Sequence, residues 1–187
     1  HALEALARLG AAPAETKLLA DIFTSLGRIE KVLGEHGEAL EHYQRAYEIY
    51  RDLDERRSES IALQSMASIY SDAQQFERAV EYFRSALERF QDPSLDLAAH
   101  NNLANALTQI GRYDEAAASF EQARTLAQSM GSAILEARVL NNLANMQLEQ
   151  ADHDAAEISI DAAFALVEDD GTFEWLRFFW GVRAQIA

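Results

Sequence analysis

The sequence predicts an all-α chain, a solenoid of stacked antiparallel helical hairpins. Three observations carry that prediction. Residues 101–105 read Asn-Asn-Leu-Ala-Asn, and residues 141–145 read the same, 40 positions later. Self-similarity at a fixed period of that size marks a repeat protein. Proline accounts for 2 of 187 residues and glycine for 8, so little interrupts helix. Hydrophobic residues make up 49%, which is enough to build a core.

Each unit is anchored on a large–small pair: Leu26-Gly27, Met66-Ala67, Leu103-Ala104 and Leu143-Ala144. Successive anchors lie 40, 37 and 40 residues apart. Thirteen residues after each anchor stands Ala39, Ala79, Ala116 or Ala156. Seventeen after stands Tyr43, Phe83, Phe120 or Ile160, and twenty after stands Ala46, Ala86, Ala123 or Ala163. Small residues at fixed places let two helices approach closely, and large residues at the next turn fill the space beside them. Gly34 and Gly111 fall between the two helices of their units, where a left-handed residue is wanted. Pro13 and Pro93 stand just before new helices.

These residues resemble the tetratricopeptide repeat, a helix-turn-helix unit that stacks into a right-handed superhelix. The resemblance covers roughly residues 14–168. It implies a single domain with repeats at 14–51, 58–91, 94–130 and 132–168. Residues 1–10 then fit the end of a preceding helix and 172–187 the first helix of a fifth unit, so the chain reads as a piece of a longer protein. The unit length is similar to that of kinesin light chain and of bacterial peptide-pheromone receptors. The sequence departs from the family pattern at Glu30 and Gln147, which replace a large residue in the outer units, and in lacking proline after the second helices. His36 and His153 take a slot usually held by an aromatic, so packing is expected to explain them.

In this family the first helix of each unit lines the concave side. By that resemblance the lining includes Arg28 and Lys31 of unit one, Gln64 and Ser68 of unit two, Asn101, Asn102 and Asn105 of unit three, and Arg138, Asn141, Asn142 and Asn145 of unit four. Arg28, Lys31 and Arg138 balance Asp21, Asp72 and Glu149 on the same lining, so the groove is formally neutral in a chain of net charge −15. Each asparagine offers two donors and an acceptor, which suits a peptide main chain. The same amides also suit bridges between adjacent helices. The basic residues that grip a C-terminal carboxylate in chaperone-binding relatives are replaced here by Thr24, Gln64, Asn101 and Asn141.

The acidic balance argues against nucleic acid and anionic membranes as partners, since both need a basic footprint. No apolar run reaches the roughly 18 residues of a membrane span. With no secretory signal visible, the cytoplasm is the expected compartment. Cysteine is absent, and no His-x-x-x-His or His-Glu-x-x-His spacing occurs, so no metal and no cofactor are expected. Nothing resembles a nucleophile elbow or phosphate loop, so an enzyme is not expected within these residues.

The leading functional reading is a scaffold that binds a protein or peptide in the groove. One rival is a regulatory or sensor module of a larger bacterial signalling protein, acting on an attached cyclase, kinase or DNA-binding domain. The other is a self-assembly scaffold, a homodimer formed through the aromatic end at Trp175, Phe178, Phe179 and Trp180.

Overall fold

The structure is a computed structural model, and it describes residues 13–168, 179 and 181–185. Among them the elements are helices: α1 (Pro13–Leu33), α2 (His36–Asp52), α3 (Arg56–Asp72), α4 (Phe76–Arg89), α5 (Pro93–Gln109), α6 (Tyr113–Ser129), α7 (Ala133–Glu149) and α8 (His153–Glu168). The chain divides into two compact units, residues 1–91 and 92–187. In the first unit α1 packs on α2, α2 on α3 and α3 on α4; in the second α5 packs on α6, α6 on α7 and α7 on α8.

Short turns reverse the chain between packed neighbours, so consecutive helices run antiparallel. Each turn places one residue in the left-handed region. Gly34, Gly111 and Gly131 do so with φ of 81°, 73° and 64°. Asp54, Gln74 and Ala151 adopt φ of 53°, 57° and 58° without glycine's freedom. The next amide then reaches back to close the helix end. Glu35 N donates to Glu30 O at 2.9 Å, Gln75 N to Tyr70 O at 2.8 Å and Asp152 N to Gln147 O at 2.9 Å. The start of α5 is built differently. The Asp92 carboxylate accepts from Ser94 N at 3.0 Å and Leu95 N at 3.1 Å, with Pro93 following the cap.

The small residues of the register are sealed. Ala39, Ala79, Ala116 and Ala156 are 0% exposed, as are Ala46, Ala86, Ala123 and Ala163. Tyr43, Phe83, Phe120 and Ile160 fill the adjoining space and are also buried. Burying each such side chain stabilises the fold by about 1.5–3 kcal/mol. Gly27 shows why the small member of the anchor pair is small. A Cβ there would stand 3.1 Å from the Ala39 carbonyl oxygen and 3.1 Å from the Tyr43 ring.

The large member of that pair behaves differently in the first hairpin. Leu26 is 37% exposed, whereas Met66 is 2%. Met66 has α2 packed beside its helix. Leu18, Ile22 and Ile29 share the exposed side of α1 with Leu26. The two polar departures are satisfied within their hairpins. Glu30 Oε2 lies 2.6 Å from His42 Nδ1, and Ser159 Oγ donates to Gln147 Oε1 at 2.8 Å. Both links join residues 12 apart, at one register. His36 is half-buried, but His153 is exposed, so packing does not account for the latter.

Candidate functional site

The first helices of each unit set neighbouring side chains face to face. In the first unit the link between α1 and α3 is ionic. Lys31 Nζ lies 3.2 Å from Asp72 Oδ2 and also donates to Ser68 Oγ. Gln64 Nε2 reaches Ser60 Oγ at 3.5 Å on its own helix, and Arg28 is exposed. Behind this face Tyr50 Oη donates to Asp21 Oδ1 at 2.7 Å and lies 3.1 Å from Thr24 Oγ1. Burial first, then the bond it makes to the Asp21 carboxylate, pushes the Tyr50 hydroxyl up to about 12, against the lowering effect of Thr24.

In the second unit the corresponding link between α5 and α7 is made by amides. Asn142 Nδ2 donates to Asn101 Oδ1 at 3.0 Å, and Asn101 Nδ2 donates to Asn102 Oδ1 at 3.4 Å. Further along, Gln109 Nε2 donates to Glu149 Oε1 at 3.3 Å. Asn101 is buried and commits its amide to this bridge. Asn102 and Asn105 are exposed on α5, and Asn141, Asn142 and Asn145 are half-buried on α7. Asn145 Nδ2 donates to the Asn141 carbonyl at 3.1 Å. Two inner atoms of α7 have no hydrogen-bond partner: Arg138 Nε, a donor, and Asn141 Oδ1, an acceptor. Three residues and one helical turn apart, they lie on one face.

On the same α5, two titratable groups are shifted by burial. Burial raises Asp96 and lowers His100, so the imidazole favours its neutral form. His100 Nδ1 and Asp96 Oδ1 are each buried without a hydrogen-bond partner.

At the C-terminal aromatic cluster, Phe179 is 2% exposed and meets Phe164 edge-on at 5.7 Å between ring centroids. Arg183 closes over it, lying 5.4 Å above the Phe164 ring and 2.9 Å from Asp161 Oδ1. Phe179 is thus spent on the core of the second unit. Trp175, Phe178 and Trp180 lie outside the described residues. The described residues contain no group of three or more His, Asp or Glu able to hold a metal ion, and no helix among them is long and apolar enough to cross a membrane.

Sequence reasoning missed the pairing of two first-turn glutamates with arginines. Glu59 is buried 3.2 Å from Arg89 Nε, and Arg124 Nε donates to Glu136 Oε1 at 3.1 Å. Both glutamates stand seven residues before an anchor, Met66 or Leu143, and that shared offset was the available signal.

A family model described as tetratricopeptide repeat matches residues 18–92 and 95–169. A search of curated proteins gives no match. Among solved structures, the apo form of RapI superposes with a TM-score of 0.80 at 18% identity, covering 88% of this chain and 47% of RapI. A Rap protein complexed with competence and sporulation factor gives 0.74 at 17% identity, covering 86% of this chain and 45% of that one. A putative kinesin light chain from Podosopora anserina, with nearly identical TPR-like repeats, gives 0.69 at 19% identity, covering 81% of this chain and 76% of that one. The chain therefore spans less than half the length of the two Rap structures. At these identities the likeness is one of fold.

Proposed function

Because the chain belongs to the tetratricopeptide repeat family, we propose that it is a protein-interaction module whose second unit holds the main chain of a partner peptide along the amide face of α5 and α7. The observation that carries this reading is the arrangement of the amides. Asn102 and Asn105 are exposed on α5, opposite the half-buried Asn142 and Asn145 of α7. An extended peptide presents one donor and one acceptor per residue, and this face supplies both. Arg138 Nε and Asn141 Oδ1 add an unpaired donor and an unpaired acceptor one turn away, and a side-chain rotation brings both to such a ligand. Asn101 acts as the brace that fixes Asn142 and Asn102 rather than as a direct contact.

Lys31 and Ser68 have a different role in this reading. They tie α1 to α3 and set the spacing of the first unit's face. Arg28 and Gln64 remain its accessible polar contacts.

The likeness to a Rap protein solved with competence and sporulation factor favours a second form of the same reading, in which the bound peptide is a regulatory signal. That form adds a consequence of binding to the same surface and needs no additional site.

The test is selection of a displayed random-peptide library on the 187-residue chain, followed by affinity measurement with the selected peptides. Asn105→Ala combined with Asn145→Ala should weaken binding about tenfold or more, because each lost amide bond is worth about 0.5–1.5 kcal/mol. Helicity should be unchanged, since both positions are solvent-facing or partly so. Equal affinity for the parent and the double variant would sink the assignment.

A further inference from the structure

The inner face of α7 carries a cation that the protein itself leaves unused. Lys31, Arg89 and Arg124 each end on a carboxylate of the chain, as expected where 31 acidic residues stand against 16 basic ones. Among the described residues Arg138 meets no carboxylate, and its Nε is buried without a hydrogen-bond partner. A buried donor in that state costs the desolvation of the group without compensation. Five residues before the anchor, where α7 has Arg138, α5 has Ala98, whose side chain offers no bond. The far end of the same face has the opposite sign. Glu149 stands exposed there and accepts from Gln109. The two charges lie three helical turns apart, about 16 Å, with the amides of Asn141, Asn142 and Asn145 between them.

Resting on the peptide reading of this face, we propose that the bound segment carries an aspartate or glutamate whose side-chain carboxylate pairs with Arg138. The planar fork of arginine matches a carboxylate through two parallel N–H···O bonds. Asn141 Oδ1, the unpaired acceptor, is one turn away, and side chains three apart on a helix stand about 5–6 Å from each other. That span fits one residue of the ligand, its main-chain N–H donating to Asn141 and its carboxylate accepting from Arg138. One guanidinium balances one carboxylate, whereas phosphorylated side chains are held by clusters of arginines. Glu149 repels a second acid at the far end, so the preference is confined to one end of the segment. The net charge of −15 slows the approach of an acidic segment. Salt screens that repulsion beyond about 8–10 Å, so the contact at Arg138 decides the affinity.

The experiment is selection of a random library of peptides of about ten residues, displayed between constant segments so that neither end is free. It is run in parallel on the 187-residue chain and on Arg138→Gln, with thermal melts to confirm that both fold. Peptides selected on the parent should share an Asp or Glu at one position, and those selected on Arg138→Gln should not. In a selected peptide made with blocked ends, exchanging that acid for its amide should weaken binding to the parent about tenfold. This exchange leaves the protein untouched and so reads the contact even if the Arg138→Gln chain melts early. Arg138→Lys keeps the charge but loses the fork, and should retain the acidic preference at lower affinity. Peptides that bind and depend on Asn105 and Asn145, yet share no acidic position, would overturn this inference and leave the amide-face reading standing. So would an acidic position selected equally on Arg138→Gln. Selection of no peptide at all would overturn both. A second library with free C-termini separates the sources of the carboxylate. Tighter peptides there, lacking an acidic side chain, would overturn the side chain in favour of the chain end.

Discussion

The two compact units repeat one packing scheme and differ in what they place on top of it. In both, alanines thirteen and twenty residues past the anchor are sealed, with a large residue between them. Yet the first helices are tied by Lys31, Ser68 and Asp72 in the first unit and by Asn101, Asn102 and Asn142 in the second. The grooves beside the second helices diverge as well: Tyr47, Tyr82, Glu81, Glu88 and Arg89 line a cleft of about 620 Å³ between α2 and α4, and in the second unit Arg124 reaches from α6 to Glu136 of α7. The difference teaches that the small–large register specifies how helices approach, while positions outside it are free to carry ionic, amide or aromatic chemistry. Close packing constrains a few residues tightly and the rest hardly at all.

The sharpest way to break this comparison is to attack the shared register in both halves. Phe83→Ala and Phe120→Ala remove side chains that are each 1% exposed and stand at the same offset in their repeats. Each should cost about 3–5 kcal/mol. Urea denaturation of the two variants checks this. A loss below about 1 kcal/mol in either would mean that its unit does not depend on the register.

A smaller effect separates the two buried glutamates. Arg89→Met leaves the Glu59 carboxylate, 4% exposed, without its ion-pair partner. Arg124→Met leaves Glu136, 12% exposed, still accepting from Gln128 Nε2 at 2.6 Å. The first change should cost about 2–3 kcal/mol and the second about 1–2 kcal/mol, because a remaining donor offsets part of the desolvation. Melts of the two variants side by side give the order. The reverse order would show that the bond from Gln128 does not offset the loss of the arginine at Glu136.

Periodicity made the fold readable. Alanine and aromatic residues recur at fixed offsets because interhelical distance is a steric property, and sterics leave a direct mark on residue size. The asparagine blocks were legible as a surface, and their division of labour was not. Asn101 and Asn102 are neighbours in an identical pentapeptide, yet one is buried as a brace and the other exposed. That outcome depends on which residue of the next helix stands opposite, and a single repeat does not encode it. Leu26 fails for a related reason. Its register position matches Met66, but Met66 also has α2, the second helix of the preceding repeat, packed beside its own helix. The α2–α4 cleft left no motif, since its walls come from three helices and its chemistry from residues that the repeat leaves unconstrained.

The smallest expected effect concerns the turns, where the two units can be compared at one site type. The reversal from first to second helix uses Gly34 and Gly111 in one repeat of each unit, and Gln74 and Ala151 in the other. All four residues have positive φ, and the amide after Ala151 closes the helix end just as the amide after Gly34 does. A residue with a Cβ pays roughly 1–2 kcal/mol in that conformation, which glycine avoids. Glycine in turn loses more backbone freedom on folding, roughly 0.5–1 kcal/mol. The steric term is the larger, so Ala151→Gly should stabilise by about 0.5 kcal/mol. Gln74→Gly should act in the same direction, and Gly111→Ala should destabilise by a similar amount. Nothing stands within 4 Å of a Cβ built at Gly111, so strain rather than crowding sets that last value. Thermal melts of the three variants measure these increments. An unchanged or lower melting temperature for Ala151→Gly would mean that chain entropy, and not backbone strain, governs the reversal.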